Sequence, residues 1–182
     1  EELNVSVYSF PMKYHPIRKK EEDEEDFSHN RDYIGKHWNR KYIRAVQAIL
    51  NSTKGKIGRG QSFFYEAFGK DEEEYMDLLE MPETFILYRF FFKWLDTKEL
   101  GFGTNHWRKA WKECKDSISP ERWEVVSNVI HKNVFNDSIL EEFEEPVIKR
   151  LLRYYIDFRH DIITEGTDLY ELKKEFDNIG NQ

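Results

Sequence analysis

Residues 82–96, PETFILYRFFFKWLD, decide the fold of this chain. Pro82 stands where a first-turn proline opens a helix, and the helix is expected to run from Glu83 to about Asp96. Phe85, Ile86, Leu87, Phe90, Phe91, Phe92, Trp94 and Leu95 make it apolar nearly all round, with Arg89 and Lys93 as one narrow polar stripe. A helix of that kind sits at the centre of a core. It needs other helices around it, and the sequence offers them on both sides.

Downstream, Gly101 and Gly103 punctuate a turn, and Thr104 or Asn105 is placed to cap a helix carrying Trp107, Ala110, Trp111 and Cys114. Ser119-Pro120-Glu121 is an N-cap followed by a first-turn proline, opening a helix through Trp123, Val126, Val129 and Ile130. Ser138 to Glu141 has capping-box spacing. Pro146 begins the longest amphipathic stretch, with Val147, Leu151, Tyr155, Phe158 and Ile162 on one stripe, and Asp168 to Glu171 caps a last helix with Leu169, Leu172 and Phe176. Upstream, Trp38, Tyr42, Ala45, Val46 and Ile49 recur at helical spacing, so a helix is expected from about Gly35 to Asn51. The loop Thr53–Gly60 comes next, then QSFFYEAFG, an aromatic helix closed by Gly69. Asp71 to Glu74 caps the next helix, which buries Tyr75, Leu78 and Leu79. These signals amount to roughly seven to nine helices.

Composition narrows the class. Aromatic residues make up 16% of the chain, enough to fill a core, while charged residues at 35% exceed the ordinary quarter. The densest apolar run, Phe85 to Leu95, is broken by Arg89 and Lys93, so no membrane span is expected. A net charge of −7 disfavours a general nucleic-acid binder. Cys114 is the single cysteine, which excludes an internal disulfide or a multi-cysteine metal site and fits a cytoplasmic protein. The six histidines form no HExxH or other close ligand pair, so no metal site is expected. Nor does a serine or cysteine stand in a recognisable nucleophile pattern.

One segment does not read as helix. Val5–Ile17, VSVYSFPMKYHPI, is a β-type run bounded by Pro11 and Pro16. A lone strand cannot satisfy its own backbone groups. The expected class is therefore mainly α: a multi-helix domain preceded by one orphan β-strand belonging to an upstream sheet. Residues 1–17 form that strand, 18–34 an acidic connector containing EEDEED (Glu21–Asp26), and 35–182 the helical domain. Edge pairing through the orphan strand would make an oligomer.

The runs SFPMKYHPI (Ser9–Ile17) and RDYIGKHWNRKYIRAVQAILNSTKGKIGRGQSFFYEAFGKDEEEY (Arg31–Tyr75) resemble the C-terminal part of a group of radical SAM proteins. In that group a similar strand precedes an aromatic-basic helix, a Gly-rich turn and an FF–AFG helix. The resemblance is good to about residue 90 and loose beyond. It implies that Val5–Tyr14 is the last strand of a partial (β/α) barrel and that the helical body is an appendage packing on it. Ser9, Phe10, Pro11, Met12 and Lys13 would then lie near S-adenosylmethionine. Such enzymes hold a 4Fe–4S cluster through a CxxxCxxC loop, which this chain lacks. The resemblance thus makes those five residues cofactor-binding candidates, while no cofactor is expected in this chain by itself; S-adenosylmethionine and the cluster are implied for a longer parent, and the chain alone is not expected to catalyse.

Two cationic spots complete the reading. Lys36, His37, Arg40 and Lys41 crowd a helix N-terminus, where the dipole disfavours cations; the acidic block Glu21–Asp26 or an anionic ligand would compensate. The loop Lys54-Gly55-Lys56-Ile57-Gly58-Arg59-Gly60 interleaves three cations with three glycines, without matching a Walker A loop. Lys36, Arg40, Arg44, Lys54, Lys56 and Arg59 are thus candidate anion-binding residues. They support an alternative function, a non-enzymatic helical module for an acidic, phosphorylated or RNA partner.

Overall fold

The computed structural model describes residues 34–54, 61–98 and 100–179, and among them every regular element is a helix. The expected strand, Ser9–Lys13 within it, the acidic connector through residue 33, and Lys56 and Arg59 lie outside the described residues.

Asn39 starts the first helix. Its backbone is extended and its side chain accepts from the Tyr42 amide at 2.8 Å, so α1 runs Arg40–Ser52 rather than from Gly35. A side-chain cap of this kind stabilises a helix by about 1 kcal/mol. The basic residues Lys36 and His37 therefore belong to the turn before the helix. Gly69 closes α2 (Gln61–Phe68) with φ +88°, where an added Cβ would lie 2.7 Å from the Glu74 Cβ. Asp71 caps α3 (Glu72–Glu80) by accepting from the Glu74 amide, as its spacing in the sequence predicts; the Glu74 carboxylate reaches back one residue further, to the Lys70 amide.

The central apolar helix is two helices. Tyr88, at φ −114° and ψ 32°, interrupts it, leaving α4 (Glu83–Leu87) and α5 (Arg89–Leu95). Pro82 is the residue before α4, not its first turn. The break lets two differently aimed faces be buried. Phe85 and Ile86 pack into the core from α4, and Phe91, Phe92 and Leu95 from α5, while Phe90 is turned out to 53% exposure. A single straight helix, apolar all round, would need cover on every side.

Asp96 organises the start of the next helix. It begins a single 3₁₀ turn (Asp96–Lys98), and both its carboxylate oxygens accept from the Asn105 amide at 3.1 Å. It thereby caps α6 (Thr104–Ser117) from a distance, a task expected of Thr104 or Asn105. Ser119 caps α7 (Pro120–Lys132), with Pro120 in the first turn. The spacing at Ser138 yields only a 3₁₀ helix, Asp137–Glu142. Pro146 opens α8 (Pro146–Ile156), which ends before Phe158; its buried face is Ile148, Leu151, Leu152, Tyr155 and Ile156, one step round from the stripe expected through Val147. Thr167 accepts from the Tyr170 amide at the start of α9 (Asp168–Ile179), so Asp168 is the first helical residue and not the cap.

Helix α1 packs against α3, α4 and α7, α6 pairs with α8, and α5 lies between α6 and α9. Phe85 and Phe92 stack at 4.0 Å between ring centroids and Phe158 meets both edge-on, tying α4, α5 and the segment after α8 together. No described helix is long and apolar enough to cross a membrane.

Gly103 sits against Asp96 so closely that a Cβ there would come within 2.3 Å of Asp96 Oδ1. Gly103→Ala should push the carboxylate off the Asn105 amide and cost about 1–3 kcal/mol. Urea unfolding of the variant checks this; a loss below about 0.5 kcal/mol, the range of neutral surface changes, would show that the remote cap is dispensable.

Candidate functional site

The last turn of α3 gathers polar side chains from three other helices. Leu79 and Glu80 are among the final residues of that helix, whose carbonyls have no partner within it. Lys41, from α1, reaches over and donates from Nζ to the Leu79 carbonyl at 2.8 Å. Tyr155, from α8, donates to the Glu80 carbonyl at 2.7 Å and accepts from the Trp107 indole of α6 at 3.3 Å. The Glu80 carboxylate receives the Tyr42 hydroxyl on Oε1 at 2.6 Å, and His131 Nε2 from α7 lies 2.9 Å from the same oxygen. Glu80 Oε2 is buried and has no hydrogen-bond partner among the described residues.

This arrangement gives the basic helix start a different meaning. Lys41 is not a surface cation; it is 1% exposed. Burial pushes its ammonium down to about 8, with the carboxylates of Glu80 and Glu83 pulling the other way. Arg44 is engaged as well, since its guanidinium grips Glu83 through Nε at 3.1 Å and Nη2 at 2.6 Å. The charge of the first two turns is met largely from within the fold, by the α3 carbonyl end and by Glu83. Burial likewise raises the Tyr155 and Tyr42 phenols, the latter also through its bond to Glu80.

Of the candidate anion-binding residues, Lys36 precedes α1, Arg40 and Arg44 lie along it, and Lys54 follows it with φ +54°. The thirteen residues of the helix rise about 20 Å, so Lys36 and Lys54 stand at opposite ends. The described members are spread along the length of α1.

Beside the polar cluster runs a groove of about 580 Å³ between α3 and α6, with α7 at its far side. Glu73, Met76, Asp77 and Glu80 present one face of α3 to it. Trp107, fully buried, forms floor together with Glu80, and Trp111 and Trp123 meet edge-to-face at 4.9 Å beside them. Arg108, Lys112 and Lys115 line the opposite wall, and Arg108 bridges to Asp77 at 2.9 Å. The sequence places Trp111 and Trp123 on two successive helices, and the packing of α6 and α7 beside α3 brings them to one groove. Cys114 is fully buried and its thiol is raised to about 11 by burial, which keeps it protonated and unreactive near neutrality. No group of three or more metal-ligating side chains occurs among the described residues.

Comparison with known proteins gives no match to a family model, a curated protein or a solved structure.

Lys41 gives the cluster a pH signature. Its folded value lies below the unfolded one, so between about pH 8 and 10 the unfolded chain holds the extra proton and stability rises with pH. The gain should reach up to about 3 kcal/mol, before the raised tyrosines reverse it at higher pH. Chemical denaturation across pH 7–10 should show this rise in the native chain and its absence in Lys41→Met. Parallel profiles for the two proteins would mean that Lys41 is not buried as a charge.

Proposed function

We propose that this chain acts as the helical accessory domain of a radical S-adenosylmethionine protein, packing against the catalytic barrel and helping to form its substrate or partner site. The observation that carries the reading lies in the segment resembling that family. Within it, α2 leaves Phe64 56% exposed and Tyr65 40% exposed. Arg89, which donates to the Ala67 carbonyl of the same helix, lies over the ring of the exposed Phe90. Aromatic surface concentrated in one neighbourhood marks a contact face. The chemistry itself would reside in the barrel, where the cluster and S-adenosylmethionine would be held; Ser9–Lys13 would border that ligand from the last strand. The described helices contribute shape, a rigid polar cluster and a docking face.

The coding sequence upstream of Glu1 tests this first. A CxxxCxxC loop followed by βα repeats is the expected result, and an unrelated upstream domain or a start codon directly before Glu1 overturns it. With that parent in hand, anaerobic reconstitution should give reductive cleavage of S-adenosylmethionine. The pair Phe64→Ser and Phe90→Ser should then impair turnover by about tenfold or more while leaving the melting temperature within a few degrees, because both side chains are exposed. Unchanged turnover in the pair would remove α2 and α5 from the domain contact.

A further inference from the structure

A recess of about 210 Å³ lies where the start of α4, the segment after α7 and the end of α8 meet. Its walls are fixed by contacts elsewhere in the fold. Phe135 stacks on Tyr155 at 5.1 Å between ring centroids, and Phe158 meets Phe85 edge-on at 5.2 Å. An apolar cavity of about 150 Å³ takes a molecule the size of benzene, so a ring with one further group fits here.

The polar groups of the recess are unevenly committed. The one carboxylate among the described residues that line it belongs to Glu83, and Arg44 grips both its oxygens, at 3.1 and 2.6 Å. The Tyr155 hydroxyl is spent on the Glu80 carbonyl and the Trp107 indole. Arg159 is different. Its Nε donates to the Ile156 carbonyl at 3.0 Å, but no carboxylate pairs with its guanidinium among the described residues. Asp157, two residues before it, pairs instead with Arg153. The Asn133 side chain, also in the lining, makes no hydrogen bond among the described residues. What remains uncommitted beside the aromatic walls is thus one whole positive charge and one amide. Arg159 is exposed while Tyr155 is buried, so the charge stands at the mouth and the apolar surface lies deeper.

We propose that this recess binds a small aromatic carboxylate, its ring against Phe135 and Phe158 and its charge on Arg159, with Asn133 as a second donor. With Nε engaged, the terminal nitrogens of Arg159 are left to meet a planar carboxylate. At the mouth that anion keeps part of its hydration, so its burial carries little of the cost of a fully desolvated charge. The site is independent of the family reading.

Benzoate is the probe, with benzamide, benzylamine and acetate beside it at constant ionic strength and millimolar concentration. In ¹H–¹⁵N spectra, benzoate should shift the backbone amides of Asn133, Phe135, Phe158 and Arg159 and leave those of α9, which takes no part in the lining, in place. Benzamide keeps the ring and loses the charge, and should bind about tenfold more weakly or worse. Acetate keeps the charge and loses the ring, and should also bind more weakly; benzylamine should not bind. Arg159→Gln, a change to an exposed side chain, should retain the fold and bring benzoate down to the affinity of benzamide while leaving benzamide unchanged. Equal binding of benzoate and benzamide, acetate as tight as benzoate, undiminished benzoate binding in the variant, or no shift with any probe would each overturn the proposal.

Discussion

The C-terminal end of α3 is the point on which the other helices depend. A helix ends with carbonyls that have no partner of their own, and here that of Leu79 is buried and that of Glu80 partly so. Lys41 and Tyr155 satisfy them from α1 and α8. Each such group left unmet would cost about 1–3 kcal/mol, so the two side chains must arrive in register. Glu80 adds α7 to the set through His131, and Tyr155 adds α6 through Trp107. Apolar contact alone tolerates a helix sliding by part of a turn; these bonds do not.

The same cluster explains why a lysine occupies a buried position. Removing an ammonium from water is costly, and the depressed proton affinity of Lys41 measures that cost. The compensation comes from a helix carbonyl end, which carries partial negative charge, and from Glu80 and Glu83 nearby. Polar pairing of this sort fixes arrangement more than it adds stability. It also leaves its imprint on the surface, since the carboxylate that receives Tyr42 and His131 is the one that floors the groove beside Trp111 and Trp123. Fold and candidate site therefore share a residue, and changes at Glu80 act on both.

Much of the helical body was legible in the residues because local rules wrote it. Asp71 and Ser119 mark helix starts through hydrogen bonds reaching three residues, and Pro120 through its fixed φ, and the structure has them there. What eluded that reading depends on distance in the chain. Tyr88 breaks the central helix with no proline or glycine to announce it, and Asp96 caps a helix that begins only at Thr104, in place of Thr104 or Asn105. Lys41 reads as one more cation in a basic turn until α3, far along the chain, is packed across it. Trp111 and Trp123 lie at core spacing, and only the gap between α3 and α6 makes them a groove wall. Ser9–Lys13, Lys56 and Arg59 lie outside the described residues.

A double-mutant cycle between Tyr42→Phe and Tyr155→Phe tests the central claim most directly. The two hydroxyls come from different helices and meet at Glu80, one on its carboxylate and one on its carbonyl. If the end of α3 is a shared constraint, the two losses should couple by about 0.5 kcal/mol or more in denaturant unfolding. Losses that add to within about 0.3 kcal/mol would mean that the helices are held independently and that the cluster is incidental to the fold.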